Sequence, residues 1–274
     1  MLKYMKYEIK GSYKFILGIM TLVLILITGL YAFGDQRAEG SFGGSLFMGL
    51  SIMILFGTAL VTFLYIVGSF RKELFEDRGY LTFTLPLKGI EIVGAKLIVA
   101  LLWFFVLGIL IAVYNIVMIV TFFSIPVELN LSGLIDEIFN SISINAMFFV
   151  SIAGIFSVVN MLVLIYFSMV LGKVTLRNKR IGGMWFILFL VLSGIYAFGQ
   201  FQIETLFPFY LDIESFKVAT KEIMDMNIGF GFGNSDFDGD VSLPVNIASS
   251  IYSIVITVGL FLGTGYLIEK KIDL

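Results

Sequence analysis

The feature of this sequence that most constrains its fold is a set of six long stretches without a charged residue. About 20 apolar residues in a helix cross the hydrocarbon core of a bilayer, so each stretch can span a membrane. The stretches are Phe15 to Gly34, Gly40 to Phe70, Leu97 to Val127, Ile138 to Gly172, Ile181 to Ile203 and Val241 to Ile268. Hydrophobic residues make up 59% of the chain and charged residues only 14%, against about a quarter charged in soluble domains. We therefore expect an all-α integral membrane protein with six transmembrane helices.

The whole chain, residues 1–274, is expected to form a single transmembrane domain. Its first 14 residues alternate basic and apolar side chains, a pattern that suits a short interfacial helix and equally a frayed basic tail. The predicted segments are the N-terminal interfacial helix at 1–14, spans at 15–34 and 44–70, a loop at 71–96, spans at 97–123, 144–172 and 181–201, an outer segment at 204–243 and a last span at 246–268.

The distribution of charge predicts the orientation of the chain. The N-terminus, the loops at 71–96 and 173–180 and the C-terminus together hold 15 of the 18 Lys and Arg residues. By the positive-inside rule this predicts a multi-pass cell-membrane protein with both termini in the cytoplasm. The opposite face is acidic, because its three segments hold 13 of the 20 Asp and Glu residues.

Cysteine and histidine are both absent from the sequence. Their absence excludes disulfides, thiolate nucleophiles, Cys/His metal sites and histidine-dependent catalysis. The six stretches also lack the ionisable groups that proton-driven transporters need at membrane depth. We expect no catalytic residue and no metal site, which leaves a channel, a scaffold or a pore driven by another protein.

A few polar residues interrupt the apolar stretches. Asn115, Ser157 and Asn160 can hydrogen-bond between packed helices, and the same side chains can line a substrate path. Both interpretations are kept for these three residues.

The loop after the second stretch carries the sequence pattern richest in information. Its first half, from Arg71 to Gly79, has the spacing of a short amphipathic helix that stops at the glycine. Six charges in this helix cancel, so a protein partner suits it better than an anionic lipid, and an interfacial helix that turns the chain is the alternative.

The run from Phe70 to Leu87, FRKELFEDRGYLTFTLPL, followed by Gly94, Ala95 and Lys96, resembles the first cytoplasmic loop of ABC-2-type transporter permeases. In that family the loop is a coupling helix that docks on a separate ATPase subunit. The resemblance implies an ABC-2 (type V) exporter-like fold and these contact residues: Arg71, Glu73, Phe75, Glu76, Asp77, Arg78 and Tyr80. Lys88 is a departure, because related loops often have a small hydroxyl residue there to cap the next helix.

The same resemblance implies the partners and the cargo. ATP and Mg would be bound by the ATPase subunit, since this chain has no GxxxxGK[ST] phosphate loop and no cofactor of its own. A second permease copy, as a homodimer, would complete the pore. Similar permeases export antimicrobial or cytolytic peptides, including phenol-soluble modulins, so we expect an exporter of hydrophobic or amphipathic substrates, peptides above all, with no role for nucleic acid. A membrane scaffold or sensor and a passive channel are the alternatives.

The outer segment is expected to contain an amphipathic helix with Ile213, Phe216, Thr220 and Ile223 on one face. By the resemblance this segment contains outer helices that close the pore, with Phe216 and Ile223 in the outer gate. The run Asn234 to Gly239 matches the start of a calcium-binding loop, but Val245 replaces the glutamate that such a loop needs. Three glycines just before it favour an ordinary turn.

Overall fold

The computed structural model describes residues 1–34, 41–75, 87–122, 144–175, 184–213, 217–220 and 244–271. Within these ranges it contains six long helices and one small sheet. The helices are α1 (Leu2–Gly34), α2 (Ser41–Phe75), α3 (Gly89–Phe122), α4 (Ile144–Thr175), α5 (Met184–Leu206) and α6 (Ile247–Lys271). All six are long and apolar enough to cross a membrane, which confirms the prediction of a six-helix membrane protein.

Several helices are longer than a membrane requires. α1 has 33 residues, a length of about 50 Å at 1.5 Å per residue, against a hydrocarbon core of about 30 Å. Residues 2–14 and the first apolar stretch form one continuous helix, and the end of α2 likewise continues past Phe70 to Phe75. The charged residues next to the spans are therefore held on rigid helical extensions.

The core is formed by two sets of apolar side chains. One set joins α1 to α3 through residues such as Ile16, Val23 and Trp103. The other joins four helices and is centred on Phe70 of α2 and Tyr166 of α4, whose rings lie 4.2 Å apart. α5 contributes no buried residue among those described and packs at the periphery against α4 and α6.

Two glycines bring α3 and α6 into backbone contact. A Cβ at Gly89 would overlap the carbonyl oxygen of Gly265, and one at Gly265 would overlap Ile90. Gly259 and Gly263 in α6 form a small-residue pair of the kind that permits close helix approach. A Cβ at Gly259 would meet nothing within 4 Å, and one at Gly263 would lie 3.2 Å from the ring of Phe167 in α4. The close backbone approach of α6 to α3 therefore lies at Gly265.

The start of α3 is capped by a carboxylate. The backbone N–H of Lys88 donates to Glu91 Oε2 at 3.2 Å, which is one half of a capping box. A hydroxyl side chain at position 88 would accept from the N–H of Glu91, and in its absence that N–H donates to the carbonyl of Lys88 at 2.9 Å.

The sheet lies between α5 and α6 in the chain. Its strands are β1 (Phe209–Asp212), β2 (Val218–Thr220) and β3 (Pro244–Asn246), in the order β2-β1-β3 with both pairs antiparallel. The predicted helix through Ile213 and Thr220 is wrong, because Val218–Thr220 is a strand and Ile213 lies in the turn after β1. Helical spacing over a short apolar run does not exclude a strand, and pairing with β1 satisfies the backbone groups of this segment.

Candidate functional site

The basic segments of the chain meet at one end of the bundle, which we call the basic end. The start of α1 contacts the end of α2 through Tyr4 and Glu73, and contacts the start of α3 through Glu8 and Lys96. The end of α4 reaches the end of α2, and the end of α6 packs against Gly89. The small sheet lies at the opposite end, where Asn246 donates to the carbonyl of Phe207.

Four side chains from three helices form a charge cluster at the basic end: Tyr4 and Glu8 of α1, Glu73 of α2 and Lys96 of α3. Lys96 Nζ donates to Glu8 Oε1 at 2.9 Å and to Glu73 Oε1 at 2.8 Å. The hydroxyl of Tyr4 donates to the second oxygen of Glu73 at 3.3 Å. One ammonium group thus holds three helices together.

The cluster is largely removed from water. The side chain of Lys96 is 4% exposed, and those of Glu8 and Glu73 are 16% and 15% exposed. The rings of Tyr4 and Phe70 each have their centroid 5.9 Å from Lys96 Nζ, within the range of a cation–π contact. Losing one partner of such a pair is costly, because the remaining charge stays buried without compensation.

A cavity of about 30 Å³ adjoins the cluster and is lined by Glu8, Ser12 and Lys96 among others. Lys96 has three N–H donors and uses two of them on the carboxylates. The cavity has room for a water molecule, which would accept from the third donor. On its far side, Trp103 Nε1 donates to Ser12 Oγ at 2.9 Å, so the polar groups continue along α1 and α3.

The last turn of α2 divides its side chains between the core and the surface. Glu73 points into the charge cluster and Leu74 is buried in the core, whereas Arg71, Lys72 and Phe75 are exposed. Phe75 is 41% exposed, and the centroid of its ring lies 5.4 Å from the Nζ of Lys173 at the end of α4. The basic end therefore presents an aromatic side chain beside basic ones.

The residues expected to contact an ATPase subunit fall into two groups. Arg71 and Phe75 lie on the exposed surface, and Glu73 faces inward to Lys96. Glu76, Asp77, Arg78 and Tyr80 lie outside the described residues. The contact role of all seven stays a prediction.

The three residues proposed for a substrate path lie in different surroundings. Asn115 donates to the carbonyl of Ile111 and accepts from Tyr31 of α1. Asn160 donates to the hydroxyl of Tyr196 at 2.7 Å and accepts from Thr257 at 3.1 Å. Ser157 is exposed on α4. These contacts support the helix-packing interpretation for both asparagines, and the substrate-path role stays a prediction.

The outer segment is described only in part. Phe216, Ile223 and the acidic run Asn234 to Gly239 lie outside the described residues, so the outer gate and the calcium match stay untested. Tyr210 of β1 donates to Glu204 Oε1 at 2.9 Å, and burial together with this carboxylate raises the pKa of its phenol. The sheet is thus tied to the end of α5.

The charge cluster was not foreseen from the sequence as a unit. Glu8 is the one acid among four lysines, and Lys96 comes immediately before an uncharged stretch. In the sequence, the sign of such a cluster is a single charge that differs from its neighbours or directly precedes a span. It did not identify a partner, because the two ion pairs join residues 88 and 23 positions apart.

Comparisons with protein-family models, curated proteins and solved structures found no match to this chain.

Proposed function

We propose that this chain is the membrane-spanning subunit of an ATP-driven exporter of the ABC-2 type, which works with a separately encoded ATPase subunit. The proposal starts from the resemblance of residues 70–87 to a coupling loop. It is supported by the six membrane-spanning helices and by the meeting of the basic segments at one end. Both termini would lie in the cytoplasm, where the ATPase is.

The observation that carries the proposal is the fixed position of the end of α2. Glu73 is clamped by Lys96, Leu74 is buried, and Phe75 is exposed one residue later. A partner that binds Phe75 and the residues after it would therefore act on the end of a helix that is packed into the bundle. Aromatic and arginine side chains such as Phe75 and Arg71 are the kind that anchor protein interfaces.

The charge cluster connects the end of α2 to two other helices. Because Lys96 binds carboxylates of both α1 and α2, a displacement of the α2 end also pulls on α1 and α3. Salt-bridge networks and rigid helices are among the physical links that carry coupling between distant sites. The three helices would move together when the ATPase subunits close on ATP and Mg.

A second copy of the chain would complete the pore, because six helices enclose little space between them. The exposed apolar side chains of α5 are compatible with a second copy as well as with lipid. The proposed cargo is an amphipathic peptide or another hydrophobic substrate. Its support is the likeness of the loop to permeases that export such peptides.

Two functions of other classes remain as alternatives, a membrane scaffold or sensor and a passive channel. A scaffold would use Phe75 to bind a cytoplasmic protein that does not hydrolyse ATP. A channel would work without any partner at the basic end. Both alternatives predict that no ATPase subunit accompanies the purified chain.

The test is to purify the tagged chain from its own membrane, with and without the changes Phe75→Ala and Asp77→Ala. We expect a stoichiometric ATPase subunit with the native chain. The double variant should lose that subunit, because it lacks both the aromatic ring of Phe75 and the carboxylate of Asp77. The matched control is Tyr7→Ala, an aromatic at the same end that is 72% exposed. An ATPase complex indifferent to the Phe75 and Asp77 changes would rule out this loop as the docking site, and a chain without any ATPase would overturn the proposal.

A further inference from the structure

The first four turns of α1 carry a row of lysines. Lys3, Lys6, Lys10 and Lys14 follow one another at spacings of three, four and four, so they share one face of the helix. All four are exposed. Within the described part of the chain, no carboxylate lies at ion-pair distance from any of them, since both ion pairs there belong to Lys96. We call this surface the lysine face.

The charge cluster makes the lysine face uniformly positive. Glu8 is the one acid between residues 1 and 14, and Lys96 holds its carboxylate on the opposite side of α1, against α3. The same contact, together with Tyr4 and Ser12, fixes the rotation of α1 about its axis. The lysines therefore point away from the bundle, with Tyr7 exposed among them.

The height of each lysine above the hydrocarbon follows from the continuity of α1. With Phe15 at the start of the apolar stretch and a rise of 1.5 Å per residue, Lys14 and Lys10 lie about 1.5 and 7.5 Å beyond it. Lys6 and Lys3 lie about 13.5 and 18 Å beyond it on the same scale. The headgroup layer is about 5–7 Å thick on each side of a bilayer, so Lys14 and Lys10 lie within it or at its edge.

We propose that the lysine face of α1 binds the headgroup phosphates of anionic membrane lipids, chiefly through Lys10 and Lys14. Side chains of a helix lean toward its N-terminus, which for α1 is the direction out of the hydrocarbon and into the headgroups. The inference goes beyond the proposed exporter function and does not depend on an ATPase partner.

The position of the binding lysines along α1 distinguishes a lipid ligand from a soluble anion. A lysine near an anionic bilayer surface strengthens binding by about fivefold, and the effect falls off within a Debye length of about 8 Å at physiological salt. A lipid headgroup in the bilayer should therefore bind mainly to Lys10 and Lys14, the two lysines next to the span. A soluble polyanion would favour Lys3 and Lys6, which project farthest into water.

The experiment places the full chain in nanodiscs of mixed phosphatidylglycerol and phosphatidylcholine, and native mass spectrometry measures which lipid stays bound to it. The variants are Lys10→Gln with Lys14→Gln and, as a matched control that removes two charges from the same face, Lys3→Gln with Lys6→Gln. We expect the first pair to lower the preference for phosphatidylglycerol by about tenfold or more, and the second by less than about threefold. All four side chains are exposed, so circular dichroism should show both variants folded.

An unchanged preference in the Lys10 and Lys14 variant would overturn the proposal. The proposal would also be overturned if the Lys3 and Lys6 variant lost as much preference for phosphatidylglycerol as the Lys10 and Lys14 variant, or more. That result would place the bound anion away from the bilayer.

Discussion

Among the polar contacts between helices in the described residues, two clusters differ in chemistry and in depth. The charge cluster joins α1, α2 and α3 at the basic end through Lys96 and two carboxylates. The amide cluster, which consists of Asn160, Tyr196 and Thr257, joins α4, α5 and α6 along an apolar stretch and contains no charge. Ions are confined to the edge of the membrane because a charge at its centre is far more costly than an amide.

The two clusters also differ in what remains when one member is removed. Without Lys96, two carboxylates remain close together with 15–16% exposure. Without Asn160, Thr257 can still donate to the carbonyl of Ser253, which lies 2.7 Å away. We therefore expect loss of one residue to destabilise the charge cluster more than the amide cluster. The predictions for Lys96 and Asn160 test that difference, and the one for Gly265 tests the packing of the basic end without a change of charge.

The largest effect is expected for Lys96→Met, which removes the ammonium group and leaves the two carboxylates unpaired. The free energy of unfolding should fall by about 3 kcal/mol or more, measured by denaturant titration of the purified chain in detergent. Adding Glu8→Gln and Glu73→Gln to this variant should restore part of the loss, since the stranded charges disappear. A single variant as stable as the native chain would show that the cluster does not hold the three helices.

A smaller effect is expected for Gly265→Ala, which probes the basic end without touching a charge. The new methyl group would overlap Ile90 and push α6 from α3, at a cost of about 1–3 kcal/mol. Gly259→Ala is the matched control in the same helix, because its methyl group meets nothing within 4 Å. Equal thermal stability of the two variants would contradict the close approach of α3 and α6.

The smallest effect is expected for Asn160→Leu in the amide cluster. Hydrogen bonds between membrane helices contribute about 0.6 kcal/mol on average, so the loss of two should lower the free energy of unfolding by about 1 kcal/mol. Ser157→Ala, one turn away on the exposed face, serves as the control and should change nothing measurable. A loss for Asn160→Leu as large as that for Lys96→Met would remove the distinction between the clusters.

The sequence was sufficient to predict the six helices, because each uncharged stretch is long enough to cross a membrane by itself. It did not predict where the helices end, since α1 and α2 continue through charged residues that composition alone assigns to a surface segment or a loop. It also predicted a helix at Ile213 to Ile223, where the described part contains a strand. The partner of that strand is β1, and the chain between them gives no local sign of the pairing.

At the candidate site, too, the sequence does not predict which distant residues come into contact. The sequence marks Glu73 as one of several charges in a loop, and the resemblance assigns it to a partner contact. Its position between Lys96 and Tyr4 depends on the packing of three helices that are distant in sequence. Single charges at the ends of spans were visible, whereas their pairing required the three-dimensional fold.

The most direct test of an exporter driven through the end of α2 is ATP hydrolysis by the complex reconstituted in liposomes. We expect amphipathic peptides to stimulate hydrolysis in the native complex, and Phe75→Ala to reduce that stimulation while Tyr7→Ala does not. Lipids and hydrophobic drugs serve as comparison substrates, and stimulation by them alone would move the cargo away from peptides. A rate that responds to none of these compounds, and that is unchanged by Phe75→Ala, would contradict the proposed coupling.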